Sequence, residues 1–324
     1  MSPNKVSGSQ NIPVLSDADI LPLLDMRQLV PVMEEFLRAR TRGSVVAPPR
    51  NSVAFEPHGN LVFTIGGIDV PGQMPLAGFR VYDTFKSDGR STQIVAVWNS
   101  DNGDLLGLIL GDALGAWRAG ALGGVAVKYL SRSDATTCAV IGTGRQAKTQ
   151  LLGAAACRSL TDVRVYGRDK QRRQDFAEEL SPLIGLDVAV ASCARDAIAD
   201  ADIVLCATNS GVPVIETRWL SAGAHINTVG PKLMSAHELP RDIGESVELI
   251  VTDSEEQIIS YGDPYFLDGT KAWENLQSLG DVVSNKLPFP RSRHALSLYC
   301  SVGLAGTEVA AAAHVLSRFQ ERRT

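Results

Sequence analysis

The stretch Thr136-Thr137-Cys138-Ala139-Val140-Ile141-Gly142-Thr143-Gly144-Arg145-Gln146-Ala147 constrains this chain more than any other. Its first half is β-branched and apolar, the composition of a strand buried on both faces of a parallel sheet. Two glycines break the run, and from Arg145 the chain continues as Gln-Ala-Lys-Thr-Gln-Leu-Leu-Gly-Ala-Ala-Ala, a good helix. Strand, glycine turn and helix N-terminus together make a phosphate cradle. Gly142 permits the tight turn, Gly144 lets a pyrophosphate reach the backbone, and the free N–H groups of the first helical turn face the anion. Ala147 stands in the third glycine position, which serves helix–strand packing. A lone GxGxxA is a weak signal, but the strand before it and the helix after it supply the context it requires. The expected ligand is a dinucleotide on Gly142, Thr143, Gly144, Arg145, Gln146 and Ala147.

About 140 residues precede this turn, so a substantial domain comes first. In it, Met26 to Arg42 has Leu29, Val32, Met33, Phe36 and Leu37 at helical spacing, and Gly43 ends the helix. From Asn51 to Leu110 the pattern becomes short strands and turns, with Ser100-Asp101-Asn102-Gly103-Asp104 as a strong hairpin signal. An antiparallel sheet with a helix packed on it follows. Asp112 to Leu130 reads as an Ala-rich, Gly-spotted helix made for close packing. After the glycine turn, strands are expected at 163–166, 187–190, 203–208, 224–229 and 249–253, with helices at 170–183 and 195–199. That alternation predicts a Rossmann-type doubly wound parallel sheet. Gly303 to Phe319 reads as a last Ala-rich helix that returns to the first domain. The expected division is 1–120 with 300–324 as an α+β domain, and 121–299 as the dinucleotide domain.

A formal charge of −5 gives no reason to expect nucleic acid or an anionic membrane as partner. No apolar run approaches the roughly 20 residues of a membrane span. Met1 to Gln10 is polar and reads as a disordered tip without the apolar core of a signal peptide. The five cysteines are scattered without a CxxC pair, which predicts cytoplasmic usage with no disulfide framework and no metal site; Cys138 and Cys206 read as buried.

The nucleotide is decided at the end of the second strand, where an acid would grip a ribose 2′-hydroxyl. Gly167 occupies that place and Arg168 follows it, which suits a 2′-phosphate. NADP(H) is therefore favoured. Asp169, one place late, keeps NAD(H) open, and Arg172 and Arg173 read as a solvated helix face.

These motifs resemble the ornithine cyclodeaminase/mu-crystallin family over nearly the whole length. The residues that carry the likeness are Pro49-Arg50, Gly78-Phe79-Arg80, Arg118, the Gln146-Ala147 pair, Ala207-Thr208-Asn209-Ser210, Gly223 to Gly230 and Ser301-Val302-Gly303. The resemblance implies a homodimer built through the N-terminal domain and a nicotinamide cofactor in the Rossmann domain, contacted also by Thr208, Val229 and Ser301. It implies a small imino- or amino-acid substrate between the domains, with Arg50 and Arg118 on its α-carboxylate. Three departures follow. Arg80 matches the family's strand lysine, Gly115 its threonine, and Lys232 the aspartate that holds a distal amine in cyclodeaminases.

Arg80 is a better anion clamp than acid. An ammonium at Lys232 repels a distal amine and attracts a carboxylate. Arg50, Arg80, Arg118 and Lys232 together suit two carboxylates. The expectation is an NAD(P)H-dependent imino-acid reductase forming an L-amino acid, with iminosuccinate, giving aspartate, as the smallest substrate of that kind. Lys232 or a bound water is the expected proton donor, with His58, His225 and His237 as alternatives, His225 being the structural one. An ornithine cyclodeaminase, an alanine dehydrogenase-like enzyme and a non-catalytic NADPH-binding crystallin-like protein remain as other readings.

Overall fold

A computed structural model describes residues 12–85, 92–286 and 294–322. The polar tip, Met1 to Gln10, lies outside them. The chain begins with β1 (Val14–Ser16), α1 (Asp17–Ile20), α2 (Met26–Thr41), β2 (Val45–Val46), β3 (Asn51–Phe55), β4 (Gly59–Ile68), β5 (Leu76–Asp83), β6 (Ile94–Asn99), β7 (Leu105–Leu110) and α3 (Ala113–Leu130). The strands form one sheet in the order β1-β7-β6-β5-β4-β2, with β3 paired to β4. Its pairs are antiparallel except β1 with β7. Asp25 caps α2 by accepting from the Arg27 N–H at 2.9 Å, and Gly43 ends it at φ +79°. The apolar stripe of α2 is buried at Leu29, Met33, Phe36 and Leu37.

The glycine turn opens the second half: β8 (Thr137–Ile141), α4 (Arg145–Cys157), β9 (Asp162–Tyr166), α5 (Lys170–Ile184), β10 (Val188–Val190), α6 (Ala194–Ile198), β11 (Ile203–Cys206) and β12 (His225–Thr228). Then come β13 (Lys232–Leu233), β14 (Ala236–His237), α7 (Ile243–Ser246), β15 (Val247–Thr252), α8 (Glu255–Ile259), β16 (Gln277–Ser278), α9 (Leu279–Val283), β17 (Leu296–Cys300) and α10 (Thr307–Glu321). Eight strands make a parallel sheet ordered β10-β9-β8-β11-β12-β17-β15-β16. The doubly wound sheet beside an antiparallel one is the architecture the motifs predicted. The chain leaves β8 in one direction and returns through β11 on its other side, so the switch point lies at the glycine turn.

The C-terminal part departs from the expectation. β17 was not foreseen, and it inserts between β12 and β15. The last helix begins at Thr307 instead of Gly303, because Gly303 and Gly306 adopt φ of +90° and +80°, values a right-handed helix excludes. α10 then packs on β4, β5 and β6. A Cβ on Gly66 would lie 2.4 Å from the Gly306 Cα, so the backbones touch there.

The small residues of α3 have the expected use. A Cβ on Gly120 would lie 2.4 Å from the Thr149 carbonyl oxygen, and one on Gly153 would lie 2.2 Å from that of Gly120. α3 and α4 therefore pack backbone to backbone. A buried polar chain stitches them to the parallel sheet. Asn227 Nδ2 donates to the Gly123 carbonyl and to Gln150 Oε1, both at 3.1 Å, and Gln150 Nε2 donates to the Ala119 carbonyl at 2.9 Å. His225 lies between Asn227 and Ser297, at 2.8 and 2.9 Å, and is structural as expected. Cys138 and Cys206 are buried in strands.

Candidate active site

The ends of the parallel strands line up in register. Ile141 is beside Cys206, Cys206 beside Thr228, Thr228 beside Cys300, and Cys300 beside Thr252. The next residues, Gly142, Ala207, Val229, Ser301 and Asp253, thus form a row along one edge of the sheet. In such sheets ligands bind beyond the carboxyl ends of the strands.

A groove of about 610 Å³ opens over the Gly142, Ala207 and Val229 part of this row, lined by Gly142 to Gln146, by Tyr166 to Asp169 and Arg172, and by Thr208, Val229 and Gly230. Its geometry fits a dinucleotide. Gly142 sits at φ +120°, and a Cβ there would lie 2.3 Å from the Ala207 carbonyl oxygen. Gly144 faces open space, with nothing within 4 Å of a Cβ. It also N-caps the 13-residue α4 without a side-chain hydrogen bond, which leaves the helix start free for an anion. Ala147 is fully buried under the turn, the packing role its position predicted. Arg145 is ion-paired with Asp112, which ties the helix start to the N-terminus of α3.

Arg168 is exposed at the rim and forms no ion pair with another described residue. The Asp169 carboxylate instead accepts from the Arg172 N–H at 2.9 Å, capping α5. Arg172 lines the groove, while Arg173 turns its guanidinium to 5.1 Å from the Tyr166 ring centre. Ser301 is buried, donates its N–H to the Thr228 carbonyl at 3.0 Å, and lies outside the groove lining. Thr208 is held by Glu238, whose fully buried carboxylate gathers five donors from Thr208, Thr228, Val229 and Gly230.

Two residues beyond Ser301 the arginines gather. A Cβ on Gly303 would lie 2.9 Å from Arg50 Nη2 and 3.5 Å from Arg118 Nη2. Arg50 donates from Nη2 to the Val302 carbonyl and from Nη1 to the Tyr82 hydroxyl oxygen at 3.1 Å. Asp253 shapes this loop by accepting the N–H groups of Val302, Gly303 and Leu304 at 2.8, 2.9 and 3.2 Å.

At the centre is a residue the sequence did not disclose. Glu308 Oε1 accepts from both Arg80 Nη1 and Arg118 Nη2 at 2.8 Å. Glu308 is 2% exposed. Burial opposes its charge, but the two guanidinium groups outweigh that and hold its carboxyl below the usual range. Arg80 has no nitrogen left without a partner, because Nε and Nη2 both reach Gln93 Oε1 at 3.0 and 2.7 Å. Arg118 Nε and Nη1 and Arg50 Nε are buried without a partner among the described residues. Orphaned donors of this kind point to an acceptor the chain does not itself supply.

The departures at 80 and 115 are coupled. A Cβ on Gly115 would lie 2.9 Å from Gln93 Oε1 and 3.1 Å from Arg80 Nη2. The long guanidinium occupies the space that a side chain at 115 would fill. Lys232 is nearly buried, and its Nζ donates to the Gly230 carbonyl at 2.5 Å at the end of the groove. Burial pushes its ammonium below the usual lysine range, against the opposing charge of Glu238. His237 has Nδ1 2.7 Å from the Leu239 carbonyl and is stacked on Phe266, and His58 lies in the exposed β3–β4 turn.

Residues 11–323 match the ornithine cyclodeaminase/mu-crystallin family. The chain belongs to that family. It is 29% identical over 322 residues to a Delta(1)-pyrroline-2-carboxylate reductase of Bacillus cereus, covering 95% of this chain and 97% of the relative. The structure of the Thermococcus litoralis Delta(1)-pyrroline-2-carboxylate reductase in complex with NADH and L-proline superposes with a TM-score of 0.86 at 25% identity, covering 96% of this chain and 98% of that one. The iminosuccinate reductase of Paracoccus denitrificans, in complex with NAD+, shares the fold with a TM-score of 0.79 at 19% identity over 96% of this chain and 97% of its own. The family resemblance read from the glycine turn and its companion motifs is thus borne out.

Proposed function

We propose that this protein is a nicotinamide-dependent reductase that converts a 2-imino acid into an L-amino acid. The observation that carries the reading is the pair of arginines with orphaned donors, Arg50 and Arg118, converging over Gly303 beside the strand-end row. A guanidinium fork matches a carboxylate, and two of them fix its orientation. The groove would hold the pyrophosphate at Gly142 to Gln146 and a 2′-phosphate at Arg168, which favours NADP(H) over NAD(H). When bound, the reduced nicotinamide supplies a hydride. The chain's own work is positioning: Arg50 and Arg118 hold the α-carboxylate so that the imine carbon faces the Val229–Gly230 end of the groove. Holding a reactant in this way removes a large part of a bimolecular barrier.

The spare donors suffice for one carboxylate. With Arg80 engaged by Glu308 and Gln93, a substrate with a single carboxylate, such as a cyclic ketimine acid, fits best. The dicarboxylic alternative, iminosuccinate giving aspartate, rests on Lys232, an ammonium near the groove end. Family membership and the clamp also favour turnover over a non-catalytic NADPH-binding role, and an ammonium at 232 disfavours cyclodeamination of ornithine.

The test is NADPH and NADH oxidation with Δ1-pyrroline-2-carboxylate, pyruvate plus methylamine, and oxaloacetate plus ammonia. Fastest turnover with the cyclic acid is expected. A preference for oxaloacetate plus ammonia that Lys232→Asp abolishes would establish the dicarboxylic reading instead. Tight NADPH binding with no oxidation by any imine would overturn the reductase itself.

A further inference from the structure

The reduction of an imine takes a proton as well as a hydride, and the arginine at position 80 cannot give one. Tyr82 stands two residues farther along β5. Strand alternation puts it on the same face as Gly78 and Arg80, the face covered by α10. Arg50 Nη1 donates to the Tyr82 Oη at 3.1 Å, and the Arg80 guanidinium carbon lies 4.2 Å from the centre of its ring. The hydroxyl oxygen thus already accepts a bond from the arginine that clamps the carboxylate, and its own hydrogen is left to donate. Nearby, Lys232 Nζ gives one of its three N–H bonds to the Gly230 carbonyl, His225 bridges Asn227 and Ser297, and His237 has Nδ1 at the Leu239 carbonyl.

The geometry points to Tyr82 as the catalytic acid that protonates the imine nitrogen, a role that rests on the imino-acid reductase reading. The Tyr82 O–H bond breaks, and its proton forms an N–H bond with the nitrogen lone pair. The resulting iminium is the hydride acceptor, and its C=N π pair becomes the amine lone pair. The phenolate left behind keeps the Arg50 hydrogen bond and the guanidinium of Arg80 over its ring, and takes a proton back from water. Two fixed cations stabilise that anion without rearrangement, the electrostatic preorganisation that catalytic sites use for developing charge.

The experiment compares wild type with Tyr82→Phe, which keeps the ring beneath Arg80. With Δ1-pyrroline-2-carboxylate, kcat should fall about a hundredfold, the scale of general acid catalysis. Calorimetric affinities for NADPH and for pyrrole-2-carboxylate, an unreactive planar analogue, should stay within about threefold, taking that as well under one general-acid effect. The kcat deficit should shrink as pH falls, because substrate then arrives already protonated. Arg50, Arg80 and Arg118 keep their charge over that range, and the other charged or titratable groups around them, Tyr261, Glu308 and Asp253, are the same in both proteins. A Tyr82→Phe kcat within about threefold of wild type overturns the proposal, again judged against the scale of acid catalysis. So does loss of analogue binding in step with kcat, or a deficit independent of pH. If wild type itself reduces no imine, the reductase reading falls and takes this one with it.

Discussion

The groove at the glycine turn and the arginine cluster lie along one sheet edge, yet they are built from different materials. The groove is mostly backbone: a left-handed glycine, an open glycine and an uncapped helix start, all within residues 142–145. The cluster is made of side chains from five places in the chain, Arg50, Arg80, Gln93, Arg118 and Glu308, held by charge and hydrogen bonds. A site made of backbone is broken by adding atoms. A site made of side chains is broken by changing one atom type. Glu308 shows why the second kind is fragile: one buried carboxylate oxygen serves two guanidinium groups.

The largest expected effect sharpens that contrast. Glu308→Gln keeps the shape and removes the charge, leaving Arg80 and Arg118 buried without a counter-ion. A loss of roughly 3–5 kcal/mol of stability is expected, as for removal of one partner from a buried ion pair, read from urea unfolding at pH 7. The sign of the pH dependence follows from the depressed carboxyl of Glu308. Its stabilisation is full above the unfolded-state value of about 4.3 and is lost as pH falls through the lower folded-state value. Wild type and variant should therefore converge in stability in acid. A constant difference between them from neutral pH downward would mean that the charge of Glu308 is not what holds the cluster.

Gly142→Ala tests the backbone site by adding one methyl. With φ at +120° and the Ala207 carbonyl oxygen 2.3 Å from the new carbon, the turn must move. Strain of this kind costs about 1–3 kcal/mol. It should appear as NADPH affinity weakened tenfold or more in a fluorescence titration. Unchanged affinity would place the pyrophosphate elsewhere. The smallest effect should come from truncation at the rim. Arg168→Ala removes a charge-assisted contact worth roughly 1.5 kcal/mol, so NADPH affinity should fall about tenfold while NADH affinity stays level. An equal loss for both nucleotides would deprive Arg168 of its role at a 2′-phosphate.

Legibility in the sequence followed the same division. Gly142, Gly144 and Ala147 declare themselves because a phosphate cradle needs short-range order: a strand, a turn and a helix in one dozen residues. Arg50 and Arg118 are ordinary arginines in isolation and drew notice through family motifs. β17 carries no strand signal of its own, because Leu-Ser-Leu-Tyr-Cys suits core of any kind. Its place between β12 and β15 is set by partners dozens of residues away. Composition alone starts the last helix at Gly303, and the left-handed backbone at Gly303 and Gly306 moves that start to Thr307.

By itself, then, the sequence determined the doubly wound half, the antiparallel half and the glycine turn between strand and helix, because hydrophobic period, glycine position and helix composition are local properties of the chain. Tertiary structure decided the charge balance of the arginine cluster. It set α10 against β5, brought Glu308 between Arg80 and Arg118, and let the guanidinium of Arg80 fill the space at Gly115. Coulomb attraction and burial act through distance in space, and residues 80, 118 and 308 become neighbours once both sheets and the helices between them are packed.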